Sequence, residues 1–204
     1  MTTTRIIIFA KAPHPGFAKT RLIPALGAEG AAELAQQMLS NTLSEALAAD
    51  IGTVELCSTP KIDDIAWQGI SLPVGIEITD QGEGDLGARL ARASERAIEN
   101  VELVLLIGTD CIEISANLLR EAAQSLHEHD AIIHCTADGG YALLGLKRYS
   151  AVLFSDMPWS TEAVATITIA RIGQLGWSLY VGQLLHDVDA PQDLKYLQPR
   201  VEVA

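Results

Sequence analysis

The chain has 204 residues, is 49% apolar and carries a formal net charge of −12. That much apolar material supplies a core on both faces of a sheet and argues against disorder, while the negative charge argues against nucleic acid polymers and anionic membranes as partners. Cys57, Cys111 and Cys135 have no CxxC spacing and sit in or beside apolar segments, so they read as buried thiols of a reducing cytoplasm, not disulfides or zinc ligands. The apolar stretch Ile6–Ala10 ends at Lys11, too short for a secretory segment, and no later run reaches the length of a bilayer span. A soluble, cytoplasmic protein is expected.

In chain order, short β-branched runs alternate with helical patterns. Strands are predicted over Arg5–Ala10, Thr53–Ser58, Val74–Thr79, Leu103–Thr109, Ala131–Thr136, Tyr141–Leu146 and Trp177–Val181. Helices are predicted over Ala28–Ala49, Leu86–Asn100, Ser115–His127, Glu162–Leu175 and Pro191–Leu197. Leu103–Gly108 is an unbroken apolar run, the mark of a strand covered on both faces. The alternation predicts a mostly parallel sheet with right-handed crossovers. Asp138-Gly139-Gly140 between two adjacent strand candidates adds an antiparallel pair, so the expected fold is α/β with a mixed sheet. No repeat, charge block or linker divides the chain, and one domain over residues 1–204 is expected.

Three segments carry the strongest chemistry. Lys11-Ala-Pro-His-Pro-Gly16-Phe-Ala-Lys19-Thr20-Arg21 follows the first strand, where prolines and a glycine prevent regular structure. Its backbone amides and its three cations, in a chain with only five lysines, suit phosphate oxygens. It is not a Walker loop, because GxxxxGK[ST] is absent. Asp110, at the exit of the buried fourth strand, points toward the sheet edge where ligands gather, and it can hold Mg²⁺ or Mn²⁺. The alternative is a turn residue that satisfies nearby amides. Asp187 and Asp189, separated by one residue, can face the same way and complete that metal site. Asp189 also stands where a helix N-cap is expected, and it is preferred to Asp187 as ligand.

Gln81-Gly-Glu-Gly84-Asp85-Leu-Gly87 opens a helix with Asp85 as N-cap, and its glycines permit close approach of a ligand. Asp138, Gly139, Gly140 and Tyr141 combine a carboxylate, a turn and an aromatic face suited to a sugar or other polar acceptor, although a tight turn needs glycine for its own reasons. Trp159, before a helix start, reads equally as core or as a stacking surface. His127 and His129 read as solvated imidazoles near a helix end, and no GxSxG elbow appears, so covalent catalysis is not indicated.

The ordered segments KxPxPGxxKTRL, GDLGxR, GTDC, DGGY, WST and DVDxPxDL, from Lys11 to Leu194, resemble the bacterial DUF2064 proteins. The resemblance implies a three-layer glycosyltransferase-A fold of the nucleotide-diphospho-sugar transferase superfamily, a family sometimes linked to arsenosugar biosynthesis. Broader similarity extends to the molybdenum-cofactor and 2-phospholactate guanylyltransferases, which end in a DxDxPxDL-like segment. It implies that Lys11, Gly16, Lys19, Thr20 and Arg21 grip nucleotide phosphates, and that Asp110 with Asp187 or Asp189 binds Mg²⁺ or Mn²⁺. It also implies that Gly84, Asp85 and Gly87 lie near the base or ribose, and that Asp138–Tyr141 lie near the transferred group or acceptor. Ile112 stands where the family generally has Pro, and Ile114 where Leu is common; both bear on the aim of the Asp110 loop.

The expected function is a metal-dependent glycosyltransferase that moves a sugar from a nucleoside-diphosphate sugar to a small acceptor. Lys19 and Arg21 would supply positive charge at the leaving diphosphate, and Asp138 would orient the acceptor as a base. A second reading is nucleotidyl transfer to a phosphorylated small molecule with pyrophosphate release. A third is a nucleotide-binding module without turnover. The sequence is silent on base, sugar, acceptor and oligomeric state.

Overall fold

The alternation of side chains along the strands decides the layers. Ile6 and Ile8 of β1 (Thr4–Lys11) point to one face of the sheet and Ile7 to the other, and all three are fully buried. The same holds for Leu105 and Ile107 against Val104 and Leu106 in β4 (Leu103–Ile107), which is buried at every position. A strand with no polar face requires cover on both sides, and helices supply it.

The computed structural model describes residues 3–100 and 103–197. The remaining elements are α1 (Ile23–Ala49), β2 (Gly52–Thr59), β3 (Glu77–Asp80), α2 (Leu86–Glu99), α3 (Ala116–Glu128), β5 (Ala131–Cys135), β6 (Tyr141–Leu146), α4 (Val164–Gln174) and β7 (Leu179–Val181). Short 3-10 turns lie at Thr20–Leu22, Ile65–Trp67, Ala151–Leu153 and Pro191–Leu197. α1 and α3 pack on the Ile6/Ile8 face, and α2 and α4 pack on the Ile7 face, so the architecture is a three-layer α/β/α sandwich. The expectation of one domain over 1–204 also covers residues 1–2, 101–102 and 198–204, which lie outside the described residues.

The sheet has seven strands in the order β3-β2-β1-β4-β6-β5-β7. Every neighbouring pair is parallel except those made by β6, which runs against both β4 and β5. The mixed, mostly parallel sheet read from the sequence is therefore the one observed. From β1 the chain moves outward through α1 to β2 and β3, then returns through α2 to β4 on the other side of β1. This reversal leaves a crevice between β1 and β4 at their C-terminal ends, the usual ligand position in open α/β sheets.

Most element boundaries differ from the sequence reading by one or two residues; α1 starts at Ile23 instead of Ala28, bent at Gly27 with φ 75°, and the predicted helix Pro191–Leu197 is a 3-10 turn. β3 starts at Glu77 instead of Val74, because Gly75 adopts φ 85° and turns the chain while Val74 stands in solvent. β7 starts at Leu179 instead of Trp177, after Gly176 at φ 66°, and Trp177 packs against the α4-side core. α4 begins at Val164, two residues after the predicted start at Glu162. On β6, Gly145 is required by packing: a Cβ there would collide with Ile132 and stand 2.9 Å from Leu105 and 3.1 Å from Leu126.

Candidate functional site

A cleft of about 800 Å³ opens at the C-terminal ends of β1 and β4, within the range of small-molecule sites. The loop after β1 forms one wall. Pro13 and Pro15 keep it irregular, and Lys19 closes it in the left-handed region at φ 49°, which starts the turn Thr20–Leu22. For a residue with a side chain this backbone is costly, on the order of 1–3 kcal/mol, and such outliers concentrate at functional sites. The conformation sends Lys19 inward. Its ammonium group donates to Asp110 Oδ1, to the carbonyl of Val188 at 2.7 Å and to Asp189 Oδ1 at 3.3 Å. The Lys19 side chain is only 4% exposed, whereas the Asp110 and Asp189 carboxylates are 46% and 41% exposed.

Asp110 and the 187–189 segment are joined by main chain as well. Cys111 pairs with Asp187 in an isolated antiparallel bridge, and the Val188 amide donates to the Asp110 carbonyl at 2.8 Å. Asp193 reaches back to accept from the amides of Asp189 and Ala190 at 3.2 and 2.8 Å. Asp193, inside the Pro191–Leu197 turn, thus holds the chain that leads into it, while the Asp189 carboxylate caps no amide among the described residues and meets Lys19. Burial and the carboxylates of Asp110, Asp189 and Asp138 push Asp187 up to about 7. Burial and Asp110 likewise raise Asp189, against the lowering influence of Lys19 and Arg21. The cluster holds more negative charge than Lys19 offsets.

Of the residues singled out from sequence, the cleft is lined by Lys11, Lys19, Thr20, Arg21, Asp110, Asp138, Gly140, Tyr141, Trp159, Asp187 and Asp189. Lys11 and Arg21 are exposed, and among the described residues neither makes an ion pair or hydrogen bond. In so acidic a chain two unpaired cations on one wall are a ready anion site.

Gly16, Gly84, Asp85, Gly87 and Gly139 are not part of the lining. Asp85 is the N-cap of α2 and accepts from the Ala88 amide at 2.8 Å. Gly84, at φ 96°, lets the chain turn into that cap, and Arg89 and Arg92 of α2 donate to the carbonyls of Gly84, Gln81 and Glu83. Gly87 is buried beneath Trp159: a Cβ there would stand 2.9 Å from the indole Nε1. Gly139 lies against the main chain of Glu162, with no room for a Cβ, and its carbonyl accepts from the Ala165 amide at 2.9 Å. Gly84 and Asp85 are thus engaged in a turn and a cap, and Gly87 and Gly139 in close packing, whereas Gly16 is exposed with open space beside it.

Several lining residues were not foreseen. Phe17 is 61% exposed and Leu86 43% exposed on the cleft. An aromatic in a Pro/Gly loop was a visible signal for Phe17; nothing in its α2 spacing marked Leu86. Gln81 is buried, and its amide donates to the carbonyls of Ala10 and Cys57 at 3.3 and 3.0 Å, tying the end of β3 to β1 and β2. Glu162, directly after the WST segment, also lines the cleft.

Comparison with known proteins places the chain among transferase folds. Residues 42–161, more than half of the chain, match the family described as "Uncharacterized protein conserved in bacteria (DUF2064)". The loop after β1 and the 187–189 segment lie outside that stretch. A proposed nucleotide-diphospho-sugar transferase from Desulfovibrio desulfuricans G20 is similar over 100% of this chain and 90% of its own, with 26% identity and a TM-score of 0.90. Rv0371c from Mycobacterium tuberculosis H37Rv, solved as a complex with manganese, shares the fold at 17% identity, covering 98% and 100% of the two chains with a TM-score of 0.57. A nucleotidyl transferase from Methanothermobacter thermautotrophicus does so at 16% identity, covering 97% and 96% with a TM-score of 0.63. A search of curated proteins finds no match.

Proposed function

Because the chain belongs to the DUF2064 family, we propose that it is a metal-dependent transferase that moves a sugar from a nucleoside-diphosphate sugar to a small acceptor. One observation carries the reading: a single crevice at the strand ends is lined both by Lys11 and Arg21, whose side chains make no hydrogen bond or ion pair among the described residues, and by the Asp110, Asp187 and Asp189 carboxylates, with Arg21 near enough to Asp189 to lower its pKa. The likeness to the D. desulfuricans protein supports the sugar-nucleotide donor.

The donor set fits Mg²⁺ or Mn²⁺. All candidate ligands are carboxylate oxygens, as hard cations prefer, and burial first, then the neighbouring Asp110, Asp189 and Asp138 carboxylates, raise Asp187. Among the described residues no three acidic, His or Cys side chains gather closely enough to hold a metal unaided. Asp110 and Asp189, which now share the Lys19 ammonium, are the pair that would hold it, with donor phosphates completing the shell. When bound, the ion supplies Lewis-acid stabilisation of the charge on the departing diphosphate. Lys11 and Arg21 bind the phosphates, and Thr20, which also lines the cleft, offers a hydroxyl. Asp138 is the base that receives the acceptor proton.

Calorimetry with a panel of nucleotides and nucleotide sugars in Mn²⁺ tests the reading on wild type and Asp110→Ala. A nucleoside-diphosphate sugar should bind only with metal, weaken at least tenfold or so in the variant, and release free nucleoside diphosphate on turnover. Pyrophosphate released from a nucleoside triphosphate would replace glycosyl by nucleotidyl transfer. Metal-dependent binding that gives no product with any acceptor would leave a non-catalytic module, and no binding by any panel member would reject the proposal.

A further inference from the structure

The charges of the cleft are unevenly placed. Its cations, Lys11, Lys19 and Arg21, all come from the loop after β1, and Lys19 is engaged by Asp110 and Asp189. At the end formed by the β5–β6 turn and the approach to α4, the charged lining groups are Asp138 and Glu162, and Asp138 is near enough to the Asp187 carboxylate to raise its pKa. Among the described residues neither makes an ion pair. Asp138 is fixed in aim: its Oδ1 accepts from Thr136 Oγ1 at 2.5 Å and from the Gly140 amide at 3.1 Å, which leaves Oδ2 uncommitted. Glu162 is tied to the same unit, since Gly139 rests on its main chain.

That end is otherwise walled by carbon. Trp159 has its indole nitrogen sealed inside against Gly87, with no partner among the described residues, so the part of the ring that lines the cleft is apolar. Tyr141 and Trp159 both pack on the α2-side core together with Leu90. Nothing among the described residues hydrogen-bonds the Tyr141 hydroxyl, and burial pushes its pKa up, so it stays a neutral donor. Ser160 and Thr161 line the cleft beside Trp159.

We propose that this end takes an acceptor bearing hydroxyl groups and an apolar face but no phosphate: a neutral or amine-bearing, sugar-like molecule. The inference rests on the transferase reading for its role as acceptor, and on the charge distribution for its chemistry. A phosphate here would meet the Asp138 and Glu162 carboxylates, and the segments that carry them line the cleft with no cation of their own; like-charge juxtaposition is a strong selector against a partner. A polyol places its hydroxyls on the carboxylates and its C–H face on Tyr141 and Trp159; an amine adds attraction to both carboxylates and rings. In the transfer, the acceptor oxygen bonds to the anomeric carbon. The bond from that carbon to the diphosphate oxygen breaks with its electron pair leaving on the diphosphate, and the hydroxyl proton passes to Asp138 Oδ2.

Titrations of the full chain in Mg²⁺ with methyl glucoside, glucosamine and glucose 6-phosphate, followed by tryptophan fluorescence and saturation-transfer NMR, test this. The first two should bind with a fluorescence change that Trp159→Phe abolishes, and the phosphate ester should bind about tenfold more weakly. In the double variant Asp138→Asn, Glu162→Gln the gap should narrow to about twofold or less. Equal or tighter binding of the phosphate ester, or no probe reaching Trp159, overturns the inference. Nucleotide calorimetry on the same samples separates the two claims. Nucleotide binding without probe binding removes only the acceptor class; probe binding without nucleotide binding removes the transferase reading and keeps the subsite.

Discussion

Replacing Lys19 by Met removes the ammonium group and keeps most of the aliphatic stem that fills a site 4% exposed. Three acceptors lose their donor: Asp110, Asp189 and the Val188 carbonyl. A hydrogen bond to a charged group contributes about 1.5–3 kcal/mol when desolvated, whereas an exposed ion pair contributes about 0–1 kcal/mol. Both carboxylates are more than two-fifths exposed, so water takes over part of the loss. The net cost comes to about 1–3 kcal/mol, which for a chain of this length lowers Tm by about 2–12 °C. Because the ammonium now sits between the two candidate metal ligands, its removal should also enlarge the rise in Tm that Mn²⁺ alone produces. Scanning fluorimetry with and without Mn²⁺ measures both effects. A variant as stable as wild type, with the same response to Mn²⁺, would refute the idea that Lys19 is the internal counter-ion of the carboxylate cluster.

Asp187 should make the metal-free protein pH-sensitive. Its pKa is raised in the fold, to about 7, so the stability this group confers is complete below the unfolded value and is lost as pH rises through 7. Asp187→Asn, which removes the repelled charge, should therefore raise Tm at pH 8 by roughly 2–8 °C, with the gain shrinking as pH falls and vanishing only below the unfolded carboxylate value of about 4, as thermal melts would show. Burial pushes the Cys111 thiol up to about 12, with Cys57 and Cys135 raised as well, so the native protein at pH 8 should react slowly with a thiol reagent. Fast release of all three thiols should appear only on denaturation, and a native burst would contradict it. Gly145→Ala drives a methyl group into Ile132 and Leu105, and overpacking of this kind costs about 1–3 kcal/mol, measurable as a lower urea midpoint.

The layers were legible because periodicity survives folding. The unbroken apolar β4 and the Ile6-Ile7-Ile8 alternation carry their burial in the sequence itself, and all seven strand candidates form. The convergence of Asp110 with Asp189 could be anticipated from strand exits and ligand chemistry. That Lys19 turns into the carboxylates instead of standing open for phosphate could not, since it depends on a left-handed backbone at one non-glycine residue. Gly84, Asp85 and Gly87 are absent from the cleft lining, and sequence could not tell this for a related reason. Glycines look the same in sequence whether they admit a ligand or a neighbouring side chain, and Gly87 admits Trp159. Leu86 and Glu162 escaped notice because an exposed leucine and an unpaired glutamate acquire meaning only from the cleft they border.

The lone reversed strand, β6, divides the crevice into parts that tolerate change differently. On the β1 side β1 reaches β2 through α1 and β3 reaches β4 through α2, so altering either of those connections drags a helix along the sheet. The stretch between Thr136 and Tyr141 is a hairpin, where residues can be exchanged or added without moving a layer, provided the residue that rests on the Glu162 main chain stays glycine. Selectivity for one substrate could thus drift, or be re-engineered, while the grip on the other remained as it was.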